Sequence, residues 1–258
     1  MYYLATNREA WDKRTKIHVS SNFYNVKSFE EGSTSLRDIE LSELKNVSGK
    51  TLLHLQCHFG LDTLSWARKG AIVTGVDFSP ESINQAQYLS KKLGINSEFI
   101  CTDVYSYTIP QDREKFDIVY TSYGVICWLP SLSKWAKIVS NSLKKGGTFY
   151  MVEFHPTFGL YEGESYFHSS VPDESEEGTY TDGVNHEKSK MLTWSHSLSD
   201  VVNALINEGL TIKHLNEFPF SPYNCFEGLV EREQGHYYKP FNEHDLPLTY
   251  SIYATKNT

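Results

Sequence analysis

The segment Thr51–Pro80, TLLHLQCHFGLDTLSWARKGAIVTGVDFSP, constrains this chain more than any other stretch. It reads as an apolar strand over Thr51–Gln56, a tight loop ending at Gly60, a short helix over Asp62–Lys69 and a second strand over Ala71–Asp77. A β-α-β unit belongs to a parallel sheet, and parallel sheets carry helices on both faces. The second strand closes on an acid, Asp77. Strand ends of such a sheet meet the ligand, and a carboxylate there accepts hydrogen bonds from the two hydroxyls of a ribose. The pattern points to an adenosine-containing cofactor.

The alternation continues. Ser79 is a natural N-cap, Pro80 suits the first helical position, and Glu81 suits the positive end of the helix dipole. That helix presents Ile83, Ala86 and Leu93 on one face and ends near Gly94. Glu98–Cys101 and Phe116–Ser122 read as the third and fourth strands, and Thr148–Phe154 as the fifth. Between the last two, Ser131–Lys145 has apolar residues at helical spacing, with Lys144-Lys145-Gly146 as its stop. Leu198–Glu208 is a further helix, and Leu210–Glu217 and Leu248–Thr255 are the last two strands. The expected fold is α/β: a Rossmann-like, seven-stranded, mostly parallel sheet with an antiparallel C-terminal edge hairpin and helices on both faces.

No linker divides the chain, so it reads as one domain of four parts. Residues 1–49 form an N-terminal cap with helices over Asn7–Arg14 and Leu36–Val47, and residues 50–156 form the cofactor-binding core. Residues 157–196 form an insertion or lid, and residues 197–258 the C-terminal helix and strands. The acidic run Asp173–Glu177 reads as a solvated loop face. Residues 218–247 are a long aromatic loop that either completes a pocket or covers the sheet edge.

The totals exclude several classes. With 258 residues and a net charge of −8, the chain lacks the basic surface that nucleic-acid backbones require. No run is long and apolar enough for a membrane span, and the N-terminus has no secretory h-region. The four cysteines include no CxxC pair and are expected to be reduced, in the cytoplasm. His54 and His58 are four apart but lie on a strand and its loop, so they do not share a helix face, and no metal site is expected.

Candidate ligand residues are those that follow each strand. After the first come Gln56, Cys57, His58 and Gly60, where the glycine allows close backbone approach. After the second come Asp77, Phe78 and Ser79. After the third come Thr102, Asp103 and Val104, a carboxylate and a backbone N–H suited to an adenine edge. After the fourth come Ser122 and Tyr123, under the reactive end of a cofactor.

In this ordered set, Gly60, Asp77, Asp103 and the FDIVYTS strand, the sequence resembles the class I S-adenosylmethionine-dependent methyltransferases. The closest likeness is to a bacterial branch with the phrase LHLQCHFGLDTLSWA, taken to act on small molecules. The resemblance covers residues 50–156, and extends weakly over the cap, Thr179–Gly183, Thr193–His196 and the last strand. It implies S-adenosylmethionine as cofactor, S-adenosylhomocysteine as product and a small-molecule acceptor methylated by in-line displacement. The sequence departs from the family's first motif, an acid on the strand and three glycines in the loop. His54 stands for the acid, Gln56 for the first glycine and His58 for the second. Gln56, His58 or the cap would share the hold on the cofactor's amino group.

On the acceptor side, Glu153 and His155 end the fifth strand, and Tyr180, Asp182, Trp194 and His196 lie in or beside the insertion. Their plainer role is to tie the insertion to the sheet by hydrogen bonds. His155 and His196 head the candidates for proton acceptor, because imidazole titrates near neutrality. Cys57 reads as a small buried residue, His54 as a hydrogen-bonded core histidine, and Trp66, Trp128 and Trp135 as packing residues. Two other classes compete. One is a non-catalytic protein that binds the cofactor or its demethylated product. The other is an NAD(P)-dependent oxidoreductase, against which the missing GxGxxG and Asp103 both count. Oligomeric state is not legible.

Overall fold

A computed structural model describes residues 2–109, 115–181 and 187–257. The chain opens with α1 (Tyr2–Ser20), α2 (Val26–Glu30) and α3 (Asp38–Glu43). The β-α-β unit follows as β1 (Thr51–Leu55), α4 (Leu61–Arg68) and β2 (Ile72–Asp77). Then come α5 (Pro80–Leu93), β3 (Ser97–Cys101), β4 (Phe116–Ser122), α6 (Leu132–Ser142) and β5 (Leu143–Phe154). The insertion holds α7 (Thr157–Tyr161) and a hairpin of β6 (Asp173–Glu177) and β7 (Ser189–Thr193). The chain continues through α8 (Leu198–Asn207), β8 (Leu210–Phe218) and short strands β9 (Phe220–Ser221), β10 (Val230–Glu233), β11 (His236–Tyr238), β12 (Pro240–Phe241) and β13 (His244–Asp245). It ends on β14 (Thr249–Lys256).

Seven strands form the central sheet in the order β3-β2-β1-β4-β5-β14-β8. β14 runs antiparallel to both neighbours, β5 and β8, and the pairings among β3, β2, β1, β4 and β5 are parallel. The order reverses between β1 and β4, which opens a crevice at the carboxyl ends of those strands. The chain therefore has the expected α/β sheet. β14 sits inside the sheet, and β8, its hairpin partner, forms the edge.

Alternation along each strand divides the core in two. Leu53, Leu55, Val119 and Met151 pack with Trp135 of α6 and Leu205 of α8 on one face. Leu52, Ile118, Tyr120 and Tyr150 pack with Trp66 of α4 and Ile39 of α3 on the other. Each fully buried leucine of this kind contributes about 1.5–3 kcal/mol. Ser79, Ser131 and Ser197 cap α5, α6 and α8 by accepting from Ser82, Lys134 and Asp200.

Several elements differ from the sequence reading. α1 runs well beyond Asn7–Arg14, because its inward face is polar: Asn7, Arg14, Thr15 and His18 are buried beside Ala10, which hides the apolar period. The second cap helix is confined to Asp38–Glu43, and Leu36, Leu44 and Val47 pack as flanking chain. α6 stops at Ser142, and Leu143–Lys145 begin β5 because Leu143 pairs with Phe116. Asp173–Glu177 is strand β6, a charged, mostly exposed ribbon held by β7. Residues 218–247 contain short paired strands. No helix among the described residues is long and apolar enough to cross a membrane.

Candidate functional site

The loop after β1 sets the geometry. Gln56 and His58 have φ of 59° and 50°, and Gly60 has φ of 80°. Two residues with side chains thus hold left-handed backbone conformations, which cost roughly 1–3 kcal/mol each and persist only where surroundings enforce them. Side chains and backbone supply that enforcement. Gln56 Nε2 donates to the Val125 carbonyl at 2.9 Å, and the His58 N–H donates to Asp77 Oδ2 at 2.8 Å. The His58 ring is held between Ser82 Oγ (3.0 Å) and His18 Nδ1 (2.9 Å). Gly60 has no alternative: a Cβ there would lie 2.7 Å from the Phe99 ring.

Asp77 ends β2 with its carboxylate buried. Its Oδ1 accepts from the Ser79 N–H at 2.9 Å and its Oδ2 from His58, leaving lone pairs on both oxygens. Burial raises its pKa to about 6, against the pull of the Ser79, His58 and Phe78 amides. After β3, Asp103 Oδ1 accepts from the Tyr105 and Ser106 N–H groups at 3.0 and 3.2 Å. This cap starts a 3-10 turn over Val104–Ser106.

After β4, Ser122 Oγ bridges His54 Nε2 (3.3 Å) and Asp62 Oδ2 (3.1 Å). Tyr123 donates its hydroxyl to Glu40 Oε2 at 2.8 Å. Glu40 has no exposed surface, and burial, reinforced by Asp62, raises its pKa to about 8. The turn that follows is built on Glu153. Its carboxylate accepts from the N–H groups of Gly124, Val125 (2.8 Å), Ile126 (3.2 Å) and Phe154 (2.7 Å).

These strand ends surround one cavity of about 600 Å³, within the usual range for small-molecule sites. Gln56, Cys57, His58 and Gly60 line it, as do Asp77 and Phe78. So do Thr102, Asp103 and Val104, and Ser122 and Tyr123. Ser79 does not; its hydroxyl caps α5 and donates to Asp12 at 2.5 Å. Of the acceptor-side candidates, Tyr180 lines the cavity, its hydroxyl 2.6 Å from that of Tyr24. Asp182 lies outside the described residues. Trp194 packs edge-on against Tyr3 behind the wall.

The two histidines first considered as proton acceptors stand away from the cavity lining. His155 Nε2 donates to Glu217 at 2.8 Å and Nδ1 accepts from the Thr157 N–H at 3.1 Å. His196 Nε2 donates to the Leu129 carbonyl at 2.8 Å, and its ring stacks on His168. Burial lowers both pKa values. His54 is a core histidine bonded to Thr63 and Ser122, its pKa lowered by burial to about 4, although it also borders the cavity. Burial raises the Cys57 thiol well above its ordinary range, consistent with an inert packing role. Trp66 and Trp135 are buried in the core, whereas Trp128 faces the cavity and donates Nε1 to the Gly124 carbonyl at 2.8 Å. Among the described residues no cluster could hold a metal ion.

Sequence reasoning gave the cap a share of the site but named none of its residues. Tyr3, Leu4, Asn7, Trp11 and Arg14 line the cavity from one face of α1, a spacing of helical period that mixes polar with apolar residues. Arg37, Asp62, Tyr223, Cys225 and Phe226 also line it. The aromatic segment 218–247 thus contributes to the pocket.

Residues 52–147 match the family model of a methyltransferase domain. A ubiquinone biosynthesis O-methyltransferase of Coxiella burnetii is 27% identical over 155 residues, which span 58% of this chain and 63% of that protein, less than two thirds of its length. The protein of the same name from Proteus mirabilis is 24% identical over 204 residues, 71% of this chain and 81% of its own. Among solved structures, a putative S-adenosylmethionine-dependent methyltransferase from Listeria monocytogenes superposes with a TM-score of 0.60 at 18% identity. That match covers 90% of this chain and all of the other. Geranyl diphosphate C-methyltransferase from Streptomyces coelicolor superposes at 0.55 with 14% identity over 85% of this chain and 77% of its own, and shares the fold. The sheet order and the strand-end acids agree with that match: the chain has a Rossmann-like sheet, and its residues 52–147 are similar to a methyltransferase domain.

Proposed function

We propose that this protein is an enzyme that transfers the methyl group of S-adenosylmethionine to a small-molecule acceptor and releases S-adenosylhomocysteine. The observation that carries this reading is the convergence of Asp77, Asp103 and the left-handed Gln56–Gly60 loop on one cavity. The donor set fits the cofactor. Asp77 has free lone pairs for ribose hydroxyls, and Asp103 with the Val104 N–H suits an adenine edge. Arg37 and Asp62, both in the lining, offer opposite charges to an amino-acid moiety. Gln56 Oε1 is a buried acceptor with no partner, and it borders the same cavity. A carbonyl oxygen so placed suits an ammonium group, which answers the loss of the family's strand acid.

The bound sulfonium supplies an already activated methyl group. The chain's residues therefore orient, enclose and exclude water, and such positioning is worth about 7–11 kcal/mol in the best cases. Glu153 fixes the Gly124–Ile126 turn, and Tyr123 is anchored to Glu40 beneath the cavity. The rings of Trp11, Trp128, Tyr24, Tyr180, Tyr223 and Phe226 wall the acceptor side. Both imidazoles that border the cavity, His54 and His58, have both ring nitrogens engaged. His155 and His196 serve as braces of the insertion and of the β5 end in this reading. The protein functions as one domain in the cytoplasm; the four cysteines are free.

Isothermal titration with S-adenosylmethionine, S-adenosylhomocysteine and NADH tests the reading, with Asp77→Ala as control. Micromolar binding of the first two, lost in the variant, is expected. A folded protein that binds neither would overturn it, and binding of NADH instead would restore the oxidoreductase alternative.

A further inference from the structure

Arg14 is a guanidinium in the cavity wall with no counter-ion among the described residues. It is 7% exposed, on the inward face of α1. Its Nη2 donates to the Gly178 carbonyl at 2.7 Å, which latches the helix to the insertion. Its Nε is buried with no partner. No carboxylate among the described residues forms an ion pair with it; Glu177 raises its pKa only at a distance, and burial, the larger effect, lowers it. The guanidinium carbon lies 5.7 Å from the Trp11 ring centre and 5.8 Å from that of Trp128, and both rings border the cavity. A cation packed beside two indoles that touch each other, short of its hydrogen bonds and bordering the cavity, is a receptor for a planar oxyanion.

We infer that Arg14 recognises a carboxylate on the acceptor, so that the substrate class is a small aromatic acid seated between Arg14 and the tyrosine wall. This rests on the reading of the cavity as a methyl-transfer site and names what it takes. Two further observations favour an acid. The rings around Arg14 (Trp11, Trp128, Tyr24 and Tyr180) suit an aromatic body. The cavity's imidazoles are fully engaged, which suits an acceptor whose charge is matched by a fixed cation. The cofactor also carries a carboxylate, and Arg37, a second cation of the lining that stacks on Tyr223, is its natural partner.

The test is titration of the S-adenosylhomocysteine complex with benzoate, 3,4-dihydroxybenzoate and catechol, in the wild type, Arg14→Gln and Arg14→Lys, with thermal melts confirming that each variant folds. The two acids are expected to bind at least tenfold more tightly than catechol. Arg14→Gln should remove that preference while S-adenosylhomocysteine affinity stays within twofold, and Arg14→Lys should keep part of it. The inference is overturned if acids and catechol bind alike, if no acid binds, or if Arg14→Gln leaves acid binding intact. It is also overturned if Arg14→Gln weakens S-adenosylhomocysteine itself tenfold, which would assign Arg14 to the cofactor. Failure of the wild type to bind S-adenosylhomocysteine at all would instead remove the underlying reading, and this inference with it.

Discussion

The backbone N–H of His58 donates to Oδ2 of Asp77 at 2.8 Å, so the loop's second glycine position and the acid at the end of β2 form one unit. The strained loop thereby orients the carboxylate, and the carboxylate holds the loop in its left-handed conformation. With a pKa of about 6 in the fold, Asp77 is ionised at pH 7.5 and half protonated near pH 6. Its folded pKa is raised above the unfolded value. Its own contribution to stability is therefore full below about pH 4 and is lost as pH rises through about 6. Ligand binding runs the other way. S-adenosylhomocysteine affinity should be flat above pH 7 and fall as pH drops through 6, and Asp77→Ala should lower it at least tenfold at pH 7.5, both read by calorimetry.

Glu153→Ala should be among the most destabilising single changes. It leaves the Gly124, Val125, Ile126 and Phe154 amides without their acceptor in a buried turn. The expected loss is at least about 3 kcal/mol in urea unfolding. Glu153→Gln should recover only part of it, since its NH2 group faces N–H donors. A loss under 1 kcal/mol in the alanine variant would show that the turn does not depend on the carboxylate.

The pair His18–His58 makes the junction of α1 with the loop sensitive to acid. Burial lowers the His18 pKa to about 3 and that of His58 well below its ordinary value, so both are neutral in the fold. In the unfolded chain they protonate near 6.5. Their contribution is whole above pH 6.5 and drains as pH falls below it, for His18 down toward pH 3. Melting temperature should drop steeply between pH 6.5 and 4, and His18→Gln should flatten that slope.

His155→Gln and His196→Gln should each cost about 1 kcal/mol of stability through one lost hydrogen bond. S-adenosylhomocysteine affinity should stay within twofold. A tenfold change in binding or turnover without a change in stability would return the histidine concerned to the chemistry.

The sheet and half of the site were legible because they rest on local signals. Apolar runs, the Ser79-Pro80 helix start and acids at strand ends are properties of neighbouring residues, and β1 through β4 lie within a residue of where those signals put them, with β5 alone starting early, at Leu143. Asp77 and Asp103 line the cavity for the same reason. The cap was not legible. Asn7, Arg14 and His18 carry no burial signal of their own, and only the tertiary contacts with Leu192, Gly178 and His58 make them interior. The surroundings of Glu153 were hidden by the same limit. Its position in sequence marks a strand end, but its partners are backbone amides of a turn that begins 29 residues upstream. His58 in place of glycine was visible as a substitution. That the chain keeps a glycine-like φ there was not, since the ring's bonds to His18 and Ser82 span 40 and 24 residues.

One face of α1 supplies part of the cavity wall, and the helix is secured through Asn7 to Leu192 and through Asp12 to Ser79. A molecule resting against that face adds contacts that exist only while the helix is docked. Occupancy and helix docking therefore reinforce each other by mass action. The first twenty residues then become a gauge of saturation, slow to exchange amide hydrogens when the protein is loaded and quicker when it is empty. A cell short of ligand would present this N-terminus to its proteases more often, so the lifetime of the protein would follow the supply of what it binds.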